Sequence, residues 1–175
     1  MSDMYVFGYG SLVALPDAVP ARLRGFRRVW GVAMDNTVAT PGYKVYENPE
    51  GTRPAVAVAF LDLAEDPDAV IDGALIAAPD LALLDARERQ YERIDVTAAV
   101  EPRPDGKTYT YVGRAPGRAR VTAGRDGSVT VVIQRAYADS VERAYAQLGP
   151  DALERYRATT EAPPFPLAEL ARVDL

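Results

Sequence analysis

Hydrophobic and polar positions fall into two regimes along this chain. Up to about residue 130 the apolar residues come in short runs cut by glycine and proline, the pattern of strands and turns. Beyond it they recur at helical spacing. Residues 4–8 (MYVFG) predict a short buried strand ended by glycine. Residues 15–25 (LPDAVPARLRG) are punctuated by proline and predict one short helical turn between Pro16 and Gly25. Residues 26–38 are rich in β-formers and predict one strand or a bent pair. The stretch 39–54 holds three prolines and two glycines, so it reads as a surface loop of the kind that rims a site.

Residues 55–63 (AVAVAFLDL) are apolar on both faces, which predicts a strand covered on two sides, as in a small barrel. A further strand is predicted near 70–77. Pro79 and Asp80 then open a helix over 81–89, with Asp80 as its N-cap. Residues 91–100 and 107–113 read as strands joined through the turn PRPDG, and 124–128 (GRDGS) as a turn. In the helical regime Tyr137, Val141, Ala144, Tyr145 and Leu148 share one face, and Gly149 ends the run. Pro150 and Asp151 start a second helix, and the proline-rich 161–170 packs through Phe165 and Leu167. Strands first and helices last predict an α+β fold: a small mixed, partly closed β-barrel with flanking helices. Residues 1–175 read as a single domain with a helical C-terminal extension from about 131.

Composition narrows the chemistry. The chain has no cysteine and no histidine, which removes thiolate nucleophiles, disulfides, histidine-based triads and most zinc or iron sites. Acid–base work then falls to Asp, Glu, Lys or Tyr, and no metal or cofactor is expected. A net charge of −5 argues against a nucleic-acid partner. No signal-like amino terminus and no apolar run long enough to cross a bilayer is present, so no membrane association and a cytoplasmic protein are expected. Oligomeric state is not encoded in any visible pattern. The densest basic cluster, Gly25-Phe26-Arg27-Arg28, reads as a solvated strand edge.

Three features could carry chemistry. Glu88 lies four residues after Leu84 and seven after Leu81, which on a continuous helix puts it on the apolar face. A carboxylate carried into a low-dielectric setting has a raised pKa and serves as base or acid near neutral pH. The competing reading leaves it in the solvated charged run 87–93 (RERQYER), where Glu92 is a rival. Next, the strand at 4–8 runs into Tyr9-Gly10-Ser11-Leu12, where the N–H groups of Gly10, Ser11 and Leu12 could form an anion-binding nest. Its glycines do not make a dinucleotide fingerprint, and Ser11 lacks the setting of a nucleophile elbow. Finally, there are 10 tyrosines against 4 phenylalanines, a composition suited to the wall of a polar pocket. Tyr137 and Tyr145 read as helix packing.

Together, YVFGYGSL at 5–12 and LDARERQYERIDV at 84–96 resemble the γ-glutamylcyclotransferase superfamily. That group includes glutathione-specific ChaC enzymes and γ-glutamylamine cyclotransferases. The resemblance covers roughly residues 4–113. It implies that Tyr9, Gly10, Ser11 and Leu12 hold a γ-glutamyl group, that Glu88 is the acid–base residue, and that Tyr111, rather than Tyr109, lines the pocket. It also implies a small-molecule γ-glutamyl substrate, cyclised to 5-oxoproline with release of an amine or amino acid, without cofactor or metal. The alternative is an inactive relative that binds a small metabolite or a protein. The sequence departs from the ChaC pattern after Glu88, where Arg89 and Gln90 lead straight to Tyr91 in place of a Gly-Gly-Tyr.

Overall fold

The structure, a computed structural model, describes residues 3–78 and 80–175. Pro79, expected to help open the first helix, lies outside the described residues. In chain order the elements are β1 (Asp3–Gly8), β2 (Val19–Asp35), β3 (Lys44–Glu47), β4 (Ala57–Ala77), α1 (Leu81–Arg87), β5 (Tyr91–Asp95), β6 (Val100–Glu101) and β7 (Gly106–Gly113). They continue with α2 (Ala115–Arg125), β8 (Val131–Gln134), α3 (Arg135–Gln147), α4 (Ala152–Ala158), β9 (Leu167–Ala168) and β10 (Ala171–Asp174).

Among the described residues eight strands form one mixed sheet, ordered β5-β7-β1-β4-β2-β6, with β8 beside β4 and β9 beside β8. β1 runs parallel to β7 and antiparallel to β4, while β4 and β8 are parallel. β4 is long enough to change neighbours along its length. Its start pairs with β8 and its end with β1, while β2 follows both halves. The β2–β4 ladder shifts register between Arg24 and Phe26, at Gly25 with φ +84°, and again between Val29 and Val32. Such irregularities bend a strand pair and increase its twist, which curls the sheet into a half-barrel. The α+β class and the partly closed mixed sheet are therefore as the pattern predicts.

The largest core cluster contains Phe7, Leu23, Trp30, Leu61, Ile71, Ile133, Val141 and Tyr145 and joins the sheet to α3. Residues 57–63 are buried without a break, as expected of a strand covered on both faces. On α3 the predicted face is the buried one: Val141, Ala144 and Tyr145 are inside, with Tyr137 and Leu148 partly so. Phe165 and Leu167 pack on the same core.

Several elements differ from the pattern. Residues 19–25 belong to β2, not to a helical turn. Ala21 and Leu23 are buried while Arg22 and Arg24 are exposed, a period of two that Pro20 masked. The two strands expected at 55–63 and 70–77 are one, because residues 64 and 65 stay paired with β2 despite the charged stretch that follows. α2 has no counterpart in the pattern. Its inward face offers only Gly117 and Val121, and Gly117 approaches β2 so closely that a Cβ would meet Val32 Cγ2 at 2.5 Å. Residues 131–134 are the strand β8, so the helical regime starts at Arg135. The loop at 39–54 contains β3, which pairs antiparallel with β10 at the far end of the chain. Arg28, finally, is fully buried, not a solvated edge residue.

Candidate active site

β1 delivers the Tyr9–Leu12 loop. The strand stops at Gly8, where a Cβ would lie 2.6 Å from Leu12 Cβ. Only glycine lets the single 3₁₀ turn Ser11–Ala14 fold back over the strand end. The root of the loop is clamped from below: the Tyr9 carbonyl accepts from Arg28 Nε at 3.1 Å and from the Tyr145 hydroxyl at 2.8 Å. The Tyr9 hydroxyl donates to the Tyr111 carbonyl at 2.8 Å, tying the loop to β7. Leu12 is buried against Val6 and Tyr111. Among the described residues the N–H groups of Gly10, Ser11 and Leu12 donate to no backbone oxygen, while Val13 N–H closes the turn onto Gly10.

α1 delivers Glu88. Asp80 caps the helix through Oδ1, accepting from the N–H groups of Ala82 and Leu83 at 3.0 and 3.2 Å. Leu81 and Leu84 then pack on the cluster of Val6, Leu12, Ala78 and Tyr111. The spacing that puts Glu88 on the helical face beside these leucines is not realised. The helix ends at Arg87, and Glu88 follows with φ −91° and ψ 48°, its N–H still bonded to Leu84 O at 2.9 Å. From that position it lines a cavity. Its side chain is 18% exposed. Burial raises its pKa above the ordinary value, while Arg87, with Nε 3.4 Å away, and Lys44 pull it partly back. The rival Glu92 is exposed on β5.

Two adjoining cavities meet at Glu88. The inner one is lined by the loop from Gly8 to Leu12 together with Leu61, Tyr91, Tyr111 and Tyr137. The outer one, of about 360 Å³, runs over Tyr43, Lys44, Phe60, Arg87, Gln90 and Arg172. Ser11, Glu88, Tyr91 and Tyr137 belong to both. The structure therefore brings Glu88, Tyr9, Gly10, Ser11, Leu12 and Tyr111 to one place. Tyr111 is buried, and its hydroxyl donates to Asp85 Oδ1 at 2.8 Å, which fixes α1 to β7. Tyr109 lies outside the cavities, half-buried beneath the Arg93 guanidinium at 5.1 Å.

Tyr137, Tyr91, Lys44 and Phe60 are among the lining residues that the sequence did not propose for the site. Tyr137, read as packing, does pack edge-on to Phe60 and Trp30 at 5.1 and 6.1 Å, but it also reaches both cavities. A Cβ on Gly10 would sit 3.1 Å from its hydroxyl, a tight contact to which the Tyr137 ring would have to yield. Tyr91 donates to Leu61 O at 2.8 Å, and burial raises its pKa and that of Tyr137 well above the ordinary tyrosine value. Lys44 and Phe60 form the outer floor, with Nζ 4.5 Å over the ring. The excess of tyrosine over phenylalanine was the visible sign of such a wall. Among the described residues no group of three or more acidic side chains converges as a metal site would require, and no helix is long and apolar enough to cross a membrane.

The sequence matches no protein-family model and no curated protein. Solved structures do match. One is a γ-glutamyl cyclotransferase, at 13% identity and a TM-score of 0.52, aligned over 95% of this chain and 94% of its own. Another is a glutathione-specific γ-glutamyl cyclotransferase from yeast, at 17% identity and a TM-score of 0.54, over 92% of this chain and 98% of its own. The chain therefore has the γ-glutamyl cyclotransferase fold.

Proposed function

We propose that the protein is a γ-glutamylcyclotransferase with Glu88 as its general acid and base. The observation that carries this reading is the meeting of a desolvated carboxylate with the Tyr9–Leu12 loop in one cavity. A raised pKa suits Glu88 to both taking and giving a proton near neutral pH. The substrate's α-ammonium passes a proton to Glu88, and the freed nitrogen attacks the γ-carbonyl carbon. The five-membered ring closes, the ring nitrogen gives up its second proton and the amide C–N bond breaks, while the departing nitrogen takes up both protons, one of them returned by Glu88, and leaves as an ammonium. Products are 5-oxoproline and the free amine or amino acid, and no water is consumed. Ring closure is intramolecular, so holding the glutamyl chain in its folded conformer supplies much of the acceleration. The N–H groups of Gly10, Ser11 and Leu12, which among the described residues donate to no backbone oxygen, suit the α-carboxylate or the oxyanion that develops at the carbonyl.

A panel of γ-glutamyl peptides and amines, assayed for 5-oxoproline, tests this. Turnover of at least one is expected, and Glu88→Gln lowers kcat by roughly 10²–10⁴-fold, the usual worth of a positioned acid–base group. If none is turned over, the cyclotransferase reading is wrong. Binding of a γ-glutamyl compound without turnover would favour a metabolite-binding module instead.

A further inference from the structure

The outer cavity is built for charge. Lys44, Arg87 and Arg172 bring three cations to its wall, against the carboxylates of Glu88 and Asp174. Two of the cations are engaged, Arg87 at 3.4 Å from Glu88 and Arg172 at 2.6 Å from Asp174. Lys44 is different. Among the described residues its side chain forms no ion pair and no hydrogen bond, although Asp174 stands opposite it across the β3–β10 ladder. Its ammonium instead lies over Phe60 at 4.5 Å, with the rings of Tyr43 and Tyr46 at 5.7 and 5.8 Å. The ring faces offset part of its desolvation but accept no N–H hydrogen bond of normal strength. A half-buried ammonium in this state still lacks an anionic partner.

Position decides which part of a substrate would meet it. The reacting amide has to lie at Glu88, which stands with Ser11, Tyr91 and Tyr137 at the junction of the two cavities. The γ-glutamyl group then occupies the inner side, between the Tyr9–Leu12 loop and Tyr111. The leaving group extends over Phe60 toward β3 and β10.

We infer that Lys44 is a specificity residue that pairs with a carboxylate on the leaving group, so that the substrate class is a γ-glutamyl amino acid or peptide and not a γ-glutamyl amine. This rests on the cyclotransferase reading for the position of the leaving group. Lys44 is charged at neutral pH, since burial lowers its pKa only to about 8. With Arg87 and Arg172 engaged by Glu88 and Asp174, a cationic leaving group would meet the ammonium of Lys44, and repulsion there discriminates against polyamine adducts.

The test compares γ-glutamylalanine with γ-glutamylalaninamide, which differ in the carboxylate alone. The wild-type protein is expected to favour the acid in kcat/KM by about tenfold or more, the usual worth of a charge-assisted hydrogen bond. Lys44→Met brings the ratio close to one, and Lys44→Arg retains most of it. Calorimetry on Glu88→Gln protein reads the same discrimination as binding, without turnover. Equal kcat/KM for the two compounds, or a ratio that survives Lys44→Met, overturns the Lys44 assignment and leaves the cyclotransferase standing. Selective binding of the acid with no 5-oxoproline from either compound supports the anion site and overturns the reaction. Neither binding nor turnover of either compound overturns both.

Discussion

Replacing Arg28 with methionine removes a buried cation on which the active loop rests. Arg28 is wholly inaccessible, and among the described residues it pairs with no carboxylate. Its guanidinium donates to Tyr9 O at 3.1 Å, to Thr159 Oγ1 at 2.9 Å, to the Tyr145 hydroxyl at 2.8 Å and to Asp72 O. It also lies 4.7 and 5.0 Å from the ring centroids of Tyr145 and Tyr156. In the variant the carbonyls of Tyr9 and Asp72 share the one proton of the Tyr145 hydroxyl. One buried acceptor is stranded, at about 1–3 kcal/mol, and desolvated cation–π contact worth about 2 kcal/mol is lost. Relief from burying a charge works the other way, which leaves a net loss of about 3 kcal/mol. At roughly 2–4 °C per kcal/mol for a chain of this size, Tm falls by about 6–12 °C. Calorimetric melting measures it, with Arg27→Met as the control. Arg27 is 52% exposed and only 4.0 Å from Asp66, so its loss stays within about 0.5 kcal/mol. Equal shifts for the two arginines, or a rise in Tm for Arg28→Met, would refute the reasoning.

Two further outcomes follow from the same packing. In Gly73→Ala the new Cβ would lie 2.4 Å from Gly8 O and 2.4 Å from Phe7 Cζ, so β1 must shift. A stability loss of about 2–3 kcal/mol is expected in urea, with weaker substrate binding because Gly8 leads into the loop. A loss below about 0.5 kcal/mol would show that β1 gives way without cost. Lys44 makes stability pH-dependent. Its pKa is about 8 folded against 10.5 unperturbed, so between those values the unfolded chain holds a proton that the folded one lacks. Stability relative to Lys44→Met therefore rises with pH from about 8 to 10.5 and is level below that window. A difference that stays flat to pH 10 in urea titrations contradicts the burial of the ammonium.

What could be read from the sequence was what neighbours in the chain decide. The Asp80 cap, the strand ending at Gly8 and the inward face of α3 each depend on residues within two turns or one strand. The β3–β10 ladder joins Lys44 to Asp174 across most of the chain, and no local pattern marks such a pairing. Lys44 therefore looked like a loop lysine, though the loop was expected to rim a site. Arg28 failed for the same reason. Its partners Tyr145, Tyr156 and Thr159 lie on later elements, and without them a second arginine in a strand is best placed in water. Tyr137 was assigned correctly to the packed face of α3. Which packed tyrosine also reaches a cavity is settled by Gly10 and Phe60, not by helical spacing.

Glu88 reaches a desolvated position by a different route from the one its spacing suggests. Counting back to Leu84 and Leu81 puts it on the face of a continuous helix, yet α1 stops one residue short of it. The leucines work as anchors instead. They hold α1 against Val6 of β1 and Tyr111 of β7, and Asp85 adds its bond to the Tyr111 hydroxyl. β1 also carries the Tyr9–Leu12 loop, and Tyr9 is tied to Tyr111 O. The carboxylate and the loop are thus positioned by the same pair of adjacent parallel strands, which keeps their separation constant when outer segments move. Placement at the helix end has an electrostatic consequence as well. The partial negative charge of the final carbonyls disfavours ionisation there, in the same direction as burial, while Arg87 and Lys44 oppose it.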